Sequence, residues 1–404
     1  MKKLFALVLA LAMTLALVAC GGSSSNGGES SSSGSESSSA AAGGTVKIGV
    51  FEPQTGDNGA GGKQEILGMQ YANKETPTVE IGGTIYDVEL VYADNGSDTT
   101  KAPSAASSLV DAGVSVVLGS YGSGVSIAGS DIFKNAGIPV IGVTCTNPQV
   151  TEGNTHYFRI CFTDPFQGPV LANYAYNTLG ATTVYCLGEL GNDYDQGLIK
   201  YFVDPFTALG GTPIQESFPT GTSDFTSYLT NAANYGAQVL FCPVSIAYAT
   251  QIIQQAASQG VGFTLLGGDT LDSNVVAEAT KGTQVELTVT TFYQEGANPD
   301  FDAGFKAWLN EDSEALTNNG GNDIISAVSI MGYDAYYTAL EALKAAGSTA
   351  PADVMATLPS VVYDGVSGHI EFNETGDAKR DSAVVKKANT ETGDWEFVTT
   401  QTVE

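Results

Sequence analysis

The chain has 404 residues, with 16 lysines and arginines against 44 aspartates and glutamates, and its formal net charge is −28. Nucleic acids and anionic lipid surfaces require a basic face, so this balance excludes them as principal partners. The only two histidines, His156 and His369, disfavour histidine metal sites and serine–histidine catalysis. A hydrophobic fraction of 43% is ample for a folded core, and the length predicts two or three domains.

Residues 1–19 are predicted to be a signal peptide. Lys2 and Lys3 precede an apolar run that is short for a membrane span but typical of a signal sequence. The run ends at Ala19 and is followed by Cys20 and Gly21, which resembles a bacterial lipobox. That resemblance implies cleavage before Cys20 and diacylation of its thiol, and two lipid chains anchor a protein stably. We therefore expect the mature protein to be lipid-anchored to the outer face of the cell membrane.

Residues 20–44 are predicted to be a flexible tether between this anchor and the folded body. After Cys20 the segment is dominated by serine and glycine, and no side chain larger than alanine is apolar, so little can offset the entropy of ordering it. No later stretch approaches 18 consecutive apolar residues, so we do not expect the body to span the bilayer.

From residue 45 onward, strand-like and helix-like segments alternate in two series. The first predicts strands at 46–51, 88–93, 114–118 and 138–143, with helices at 63–75, 99–111 and 125–135. The second predicts strands at 183–187, 214–218, 239–242, 264–266 and 287–291, with helices at 167–179, 194–209, 225–235 and 248–259. Apolar strands separated by helices indicate parallel sheets buried on both faces. The predicted fold class is α/β, with two doubly wound parallel-sheet lobes.

The tail breaks this alternation. Helical patterns occur at 300–311 and 324–346, a short helix near 352–358, and β-like segments at 369–373, 383–389 and 395–400. These pieces are too few for a third domain, so we expect the chain to cross several times between the lobes. The predicted first lobe is 45–163 plus about 292–346, and the second is 164–291 plus about 347–404.

Cysteine and glycine patterns give no sign of a cofactor. Four cysteines follow the tether, and three of them lie in apolar strand-like runs, so buried free thiols are favoured over two disulfides. The four are Cys145, Cys161, Cys186 and Cys242. No CxxC spacing supports a metal or redox site. The glycine-rich segment 56–62 lacks the spacing of a dinucleotide or phosphate loop.

Small hydroxyl residues follow two strands of the predicted first lobe. Ser123 comes after strand 114–118 as a helix begins, and Thr146 follows strand 138–143. Free backbone N–H groups and a positive helix dipole at such ends suit the carboxylate of a small ligand. Simple capping of helices or turns is the alternative explanation, and the spacing alone does not separate the two.

The body also resembles the leucine/isoleucine/valine-binding type of periplasmic binding protein, the type I solute receptors of amino-acid ABC importers. Several short segments carry the resemblance in the family's order across residues 45–404. They lie at 46–56, 130–141, 158–159, 167–168, 192–197, 266–269 and 333–335. The resemblance implies a multi-strand hinge between the lobes, a cleft that closes like a Venus flytrap, no enzymatic activity, and delivery of an amino acid to membrane permease subunits.

The resemblance also implies a role for each site residue. The hydroxyls of Ser123 and Thr146 are expected to meet the ligand's α-carboxylate, and the backbone carbonyl of Thr144 to accept from its α-ammonium. Asp269 corresponds to an acidic residue that faces the ammonium, and Tyr194 to a second-lobe aromatic that helps close the cleft. For Asp269 the alternative is a turn residue, and for Tyr194 it is packing at the hinge.

The side-chain pocket departs from the family pattern. Where the family often carries a bulky residue, this chain has glycine and alanine at 59–62, and Tyr121 is expected to extend into the pocket instead. We expect a branched-chain or other aliphatic amino acid as the ligand, with an amide or related derivative as an alternative. A ligand-sensing surface receptor and, less favoured, a surface hydrolase are competing functions. The hydrolase lacks any nucleophile–histidine pair or metal cluster in the sequence.

Overall fold

The computed structural model describes residues 41–402, and its strands form two large sheets and one hairpin. The first sheet has the order β2-β3-β1-β4-β5-β6 and is parallel except for β2, which pairs antiparallel with β3. Its strands are β1 (Ala41–Glu52), β2 (Thr78–Ile81), β3 (Thr84–Asp94), β4 (Val116–Leu118), β5 (Val140–Gly142) and β6 (Tyr157–Arg159).

The second sheet has the order β15-β14-β11-β10-β9-β7-β8, and only β14 and β15 run antiparallel to their neighbours. Its strands are β7 (Thr183–Glu189), β8 (Thr212–Phe218), β9 (Val239–Phe241), β10 (Thr264–Gly267), β11 (Leu287–Thr291), β14 (Ser382–Ala388) and β15 (Trp395–Thr402). The hairpin consists of β12 (Val362–Gly365) and β13 (Gly368–Glu371).

Helices cover both faces of each large sheet. They are α1 (Gly59–Glu75), α2 (Ala102–Ala112), α3 (Ser123–Ala136), α4 (Asp164–Asn173), α5 (Asp193–Ala208), α6 (Thr226–Asn234), α7 (Ile246–Gln259), α8 (Asn274–Thr280), α9 (Pro299–Glu311), α10 (Ser313–Asn318), α11 (Ala327–Ala346) and α12 (Pro351–Thr357). Helix α11 ends at Gly347, which adopts a left-handed φ of 59°. A helix commonly ends at such a glycine because it has no Cβ to clash.

Strand β4 shows why these apolar runs become central strands. Val116 and Leu118 join a core shared with α1 and α11, whereas Val117 joins a core on the other face with α2 and α3. The second sheet repeats this arrangement in β7, where Tyr185 and Val184 belong to different cores. Successive strand residues point to opposite faces, so only a continuous apolar run suits a doubly covered sheet. The predicted fold class of two doubly wound lobes is confirmed.

The described chain passes between the sheets three times: after β6, after β11 and between β13 and β14. Phe162, Phe292 and Ala383, one from each passage, pack together in a small apolar cluster. Arg159 fixes the first passage, because its guanidinium donates to the Asp377 carboxylate at 2.5 Å and to the Cys145 and Asn147 carbonyls. The passages therefore form a multi-strand hinge.

The predicted division of the chain between the lobes stays a prediction, but the packing of the tail requires one amendment. Val354, Leu358 and Ile370 lie in the core that contains Ile48 of β1. Helix α12 and the hairpin therefore belong with the first sheet, although the prediction placed residues after 346 with the second. Only β14 and β15 extend the second sheet. The short amphipathic segments of the tail do not reveal in sequence which sheet they cover.

Candidate functional site

A cavity of about 410 Å³ lies between the two sheets, and we call it the cleft cavity. Its first-lobe wall comes from the loops after β1, β3 and β4, and its second-lobe wall from the loops after β7, β8, β9 and β10. All seven loops follow the carboxyl ends of strands, where helices begin and ligands of open α/β sheets bind. The cleft cavity therefore occupies the place where the sequence predicts a ligand.

The lobes touch around this cavity. The Tyr121 hydroxyl donates to the carbonyl of Thr270 at 2.6 Å, and the Asn147 side-chain amide donates to the carbonyl of Asp193 at 2.7 Å. On the far side, the Asn58 side chain accepts from the N–H of Ile246 at 3.2 Å. Each bond joins a first-lobe residue to a second-lobe residue, so the structure has its lobes closed.

Ser123 lines the cleft cavity as the first residue of α3. The loop before it depends on Gly119, which has a φ of 126°, and a Cβ there would lie 2.2 Å from the carbonyl oxygen of Phe51. The Ser123 hydroxyl accepts from the N–H of Asn147 at 3.2 Å. Its own proton remains free to donate, and the first N–H groups of α3 have no partner within the helix.

Thr144 is buried and does not line the cleft cavity. Its hydroxyl donates a hydrogen bond to the Glu65 carboxyl. Glu65 on α1 and Glu52 at the end of β1 form a fully buried carboxyl pair, which we call the Glu52–Glu65 pair. Burial raises the pKa of Glu65 to about 8, and burial together with the neighbouring Glu65 raises the pKa of Glu52. Glu52 also accepts from the N–H of Tyr121 at 2.7 Å, so the pair supports the loop that carries Tyr121 and Ser123.

Thr146 is also fully buried and does not line the cleft cavity. Its carbonyl accepts from the N–H of Asp164 at 3.0 Å, which joins the loop after β5 to the start of α4. Within residues 41–402, neither the Thr146 hydroxyl nor either oxygen of Asp164 has a well-formed hydrogen bond. Burial raises the pKa of Asp164 to about 7, an effect that the nearby Thr146 hydroxyl partly offsets.

Tyr194 and Asp269 meet in the second lobe. Tyr194, on the first turn of α5, lines the cleft cavity and donates its hydroxyl to Asp269 at 2.9 Å. Gln167 donates to the same carboxylate oxygen at 2.8 Å. Burial raises the pKa of Asp269 to about 6, against the lowering effect of these two donors. Asp269 is therefore mainly ionised at neutral pH, although only 2% of its surface is exposed.

Tyr121 lines the cleft cavity and fills space that the glycines of α1 leave open. A Cβ on Gly61 would lie 2.3 Å from the Tyr121 ring, so the ring requires glycine there. Its hydroxyl reaches Thr270, the residue after Asp269. Of the six predicted ligand residues, Ser123, Tyr121 and Tyr194 line the cavity, Asp269 bonds to one of them, and Thr144 and Thr146 lie buried nearby. Their roles in binding stay predictions, as does lipidation at Cys20, which lies outside the described residues.

Several polar residues at the site have no binding role predicted from the sequence. Four acids of the cavity wall, Asp57, Glu189, Asp193 and Asp195, received no binding role, nor did Ser245. Gln167 was noted only as part of a matching segment, and the Glu52–Glu65 pair was not considered. Glu52 and Glu189 each end an apolar strand, a position that points toward a ligand site in parallel sheets. That signal was available in the sequence, whereas the convergence of seven separate loops was not.

Other chemistry is sparse in the described part of the chain. Residues 41–402 contain no group of histidine, cysteine or acidic side chains arranged to hold a metal, and none of their helices is long and apolar enough to cross a membrane. The four cysteines are buried and free, as favoured from the sequence. Arg380 donates to carbonyls of Ile160 and Ser367, so like Arg159 it serves the hinge.

The fold and the cleft cavity define a two-lobed α/β binding protein. The chain belongs to the periplasmic binding protein family, whose profile matches residues 45–392. This is a family of solute-binding proteins of ABC transporters and not of enzymes.

Curated relatives include Leu/Ile/Val-binding protein homolog 1 of Brucella suis, which is 29% identical over 85% of this chain and 90% of its own. An amino acid binding protein of Pseudomonas aeruginosa is 30% identical over 84% of this chain and 89% of its own. The chain is thus related along most of its length to branched-chain amino-acid binders.

Solved structures agree on the architecture. The leucine binding protein LivK of Thermotoga maritima is 31% identical, with a TM-score of 0.77 over 89% of this chain and 99% of its own. A solute binding protein of R. palustris in complex with benzoate is 18% identical, with a TM-score of 0.74 over 88% of this chain and 96% of its own. The second similarity concerns the fold alone, and the two together show that this fold accepts more than one kind of carboxylate ligand.

Proposed function

We propose that this protein is an extracytoplasmic receptor that holds an amino acid in the cleft cavity and delivers it to the permease of an ABC importer. Acylated Cys20 and the tether of residues 20–44 would keep it at the membrane. One observation carries the proposal: the cleft cavity lies at the carboxyl ends of strands from both lobes, with Ser123 and Tyr194 on opposite walls. A ligand there contacts both lobes only when they are closed, so binding favours closure.

The α-carboxylate of the amino acid is assigned to the first turn of α3. The free N–H groups there and the Ser123 hydroxyl offer donors without a cationic side chain. Thr146 does not line the cavity, but its buried hydroxyl has no well-formed hydrogen bond within residues 41–402, so we assign it as a further donor from the adjacent loop. The Asn147–Ser123 hydrogen bond holds that loop in place. The two arginines do not compete for this role because both are engaged at the hinge.

The α-ammonium is assigned to Asp269, which bonds to the cavity-lining Tyr194, and to the carbonyl of Thr144, which lies buried nearby. Asp269 supplies a buried negative charge, and an ammonium beside it forms a charge-assisted hydrogen bond. Tyr194 holds the carboxylate in place and lines the cavity itself. Tyr121 lies against the remaining part of the ligand and bonds to the other lobe, so it senses both occupancy and closure.

The names of the relatives favour a branched-chain amino acid, which agrees with the expectation from the sequence. Benzoate, bound by a protein of the same fold, shares only a carboxylate with leucine. The carboxylate subsite at α3 is therefore the best-supported part of the proposal, and the side-chain preference needs separate evidence.

The test is a thermal-unfolding screen of the purified body, residues 45–404, against each of the twenty amino acids and against benzoate. A ligand at 100 times its dissociation constant stabilises the folded state by about 2.7 kcal/mol, which raises the melting temperature measurably. At least one amino acid is expected to do so, with one-to-one stoichiometry by calorimetry. Stabilisation by benzoate and by no amino acid would assign the protein to a different class of carboxylate receptor.

A further inference from the structure

The walls of the cleft cavity carry an excess of acids. Of its 23 lining residues, five are aspartate or glutamate, about twice the share in the whole chain, and none is lysine, arginine or histidine. Asp98 is satisfied elsewhere, since it accepts from the N–H and hydroxyl of Thr100 and lies 3.7 Å from Lys101. The four other acids have no cation opposite them among the residues that line the cavity, and Glu189 has only neutral donors, the Asn192 side-chain amide at 3.1 Å and the Tyr248 hydroxyl at 3.3 Å.

Asp57 of the first lobe faces the three other acids, which all belong to the second lobe, across the cleft. The Glu189 charge from the second lobe is close enough to raise the pKa of Asp57 in the first lobe, after the larger effect of burial. Asp195 is 1% exposed and adjoins Glu189, whose N–H donates to it at 2.8 Å. The Asp193 carboxylate lies against Gly124 at the start of α3. Burial raises the pKa of Asp195 and of Asp193. A positive charge that enters with the ligand favours the ionised forms of these acids and so favours closure of the lobes over them.

Two buried polar atoms at this wall have no partner within residues 41–402. One is the second carboxylate oxygen of Asp195, and the other is the hydroxyl of Ser245, a residue that is 4% exposed. Ser245 precedes α7 in the capping position, yet its hydroxyl makes no capping hydrogen bond. A buried acceptor left unpaired is costly, so both atoms indicate a donor supplied by a ligand.

The same walls offer little to an aliphatic side chain. The apolar lining is limited to Pro53, Val125, Leu190 and the two tyrosine rings, and Leu190 is 66% exposed. A branched-chain ligand gains its affinity from apolar surface removed from water, and the remaining wall is glycine, small polar residues and acids.

We propose that the cleft cavity selects an amino acid with a cationic side chain, an ammonium or a guanidinium group. Asp195, Glu189 and Ser245 receive this group on the second-lobe wall, and Asp57 faces it from the first lobe. The inference rests on the proposed function, because the α-carboxylate and α-ammonium subsites are taken from it. It replaces the expected aliphatic ligand with a basic one.

Calorimetry on residues 45–404 tests the proposal with pairs of ligands that differ only in charge. Arginine is compared with citrulline, and lysine with norleucine, with leucine and isoleucine as reference ligands. At least one basic amino acid is expected to bind 100-fold tighter than its uncharged counterpart. Asp195→Asn and Glu189→Gln are expected to weaken that ligand at least tenfold and to leave the uncharged one nearly unchanged. Asp98→Asn is the matched control, because Asp98 also lines the cavity but its carboxylate already accepts hydrogen bonds from Thr100. We expect this variant to change the affinity less than twofold.

The outcomes separate the inference from the proposed function. If leucine or isoleucine binds and the basic amino acids do not, the charge assignment is overturned while the amino-acid receptor stands. If no amino acid binds, both are overturned. Asp57→Asn, in an exposed loop, keeps the test decisive if Asp195→Asn fails to fold. Equal affinity for the basic amino acid that binds, in Asp57→Asn, Glu189→Gln and the unmodified protein, would also overturn the inference.

Discussion

At the scale of single residues, the proposed α-carboxylate subsite uses two hydroxyls at strand ends, those of Ser123 and Thr146. We expect Ser123→Ala and Thr146→Ala each to weaken amino-acid binding by roughly 1–3 kcal/mol, because a buried carboxylate loses a donor. Calorimetry measures the loss, and Ser108→Ala, an exposed serine of α2 in the same lobe, is the control. Affinity equal to that of the unmodified protein in the double variant would move the carboxylate subsite elsewhere.

Asp269 is the residue proposed to bind the α-ammonium of the ligand. Asp269→Asn keeps an oxygen for the hydrogen bonds from Gln167 and Tyr194 but removes the charge that faces the ammonium. We expect a loss of about 2–5 kcal/mol in binding, the range for truncating one partner of a buried charge pair. Asp224→Asn, an exposed acid of the second lobe, controls for the change in net charge. A variant that binds normally would leave Asp269 as a turn residue.

The sequence predicts individual residues well where a strand ends and a helix begins. Ser123, Tyr194 and Asp269 were all found from such positions or from the family resemblance that places them. The four wall acids were not, because their function depends on which of many acids in a strongly anionic chain converge. Asp195 illustrates this, because the cavity wall to which it belongs also includes Asp57 and Ser245, residues far from it in the sequence.

At the scale of elements, the joint between β1 and α1 contains the Glu52–Glu65 pair. A carboxyl whose pKa is raised by burial holds a proton in the folded state that the unfolded chain has already released. The folded state therefore loses stability as the pH rises from the ordinary carboxyl range, about 4.3, to the raised value near 8. Asp164 and Asp269 have raised pKa values as well and act in the same direction.

The variant Glu65→Gln tests whether the folded state loses stability as the pH rises. Glutamine resembles the protonated acid and keeps an acceptor for the Thr144 hydroxyl, so we expect a smaller fall in melting temperature between pH 5 and pH 8 than in the unmodified protein. Thermal unfolding followed by circular dichroism measures the slope, with Glu80→Gln, an exposed acid in β2, as control. Identical slopes for Glu65→Gln and the unmodified protein would show that Glu65 is ionised in the fold.

Strands that form a continuous apolar run could be predicted from the sequence, whereas short segments interrupted by a charged residue could not. The alternation of apolar strands and helices predicted both parallel sheets because burial on two faces leaves a continuous apolar run. Strands β2, β6 and β12 each contain a charged residue, so they lack the continuous apolar run that marks the equally short strands β4, β5 and β9. Which of the two sheets α12 and the β12–β13 hairpin pack against depends on tertiary contacts with Ile48 and its neighbours, and the local sequence does not encode these contacts.

At the scale of the whole molecule, the anchor and the receptor body are expected to be independent. Cys20→Ala removes the thiol that we propose is acylated, so the mature variant should leave the detergent phase for the aqueous phase in a partition experiment. Its affinity for the amino acid should equal that of the anchored protein, because residues 20–44 precede the body. Retention of the mature variant in the detergent phase would refute the lipid anchor.

The hinge is where the two lobes become one receptor. Three passages packed around Phe162 and Phe292 allow the lobes to rotate together or apart, while Arg159 holds the passages to one another. The interlobe bonds of Tyr121, Asn147 and Asn58 are few and polar, which suits a closed state that a ligand stabilises. The acids that face one another across the cleft oppose closure when no ligand is present.

Binding of an amino acid is proposed to close the two lobes, and small-angle X-ray scattering detects such closure in solution. The measurement compares the radius of gyration of residues 45–404 alone and with a saturating amino acid from the binding screen. We expect a smaller radius of gyration with the ligand, and no such change for Asp269→Asn at the same ligand concentration. A radius that stays the same in the unmodified protein, with every amino acid that calorimetry shows to bind, would contradict it.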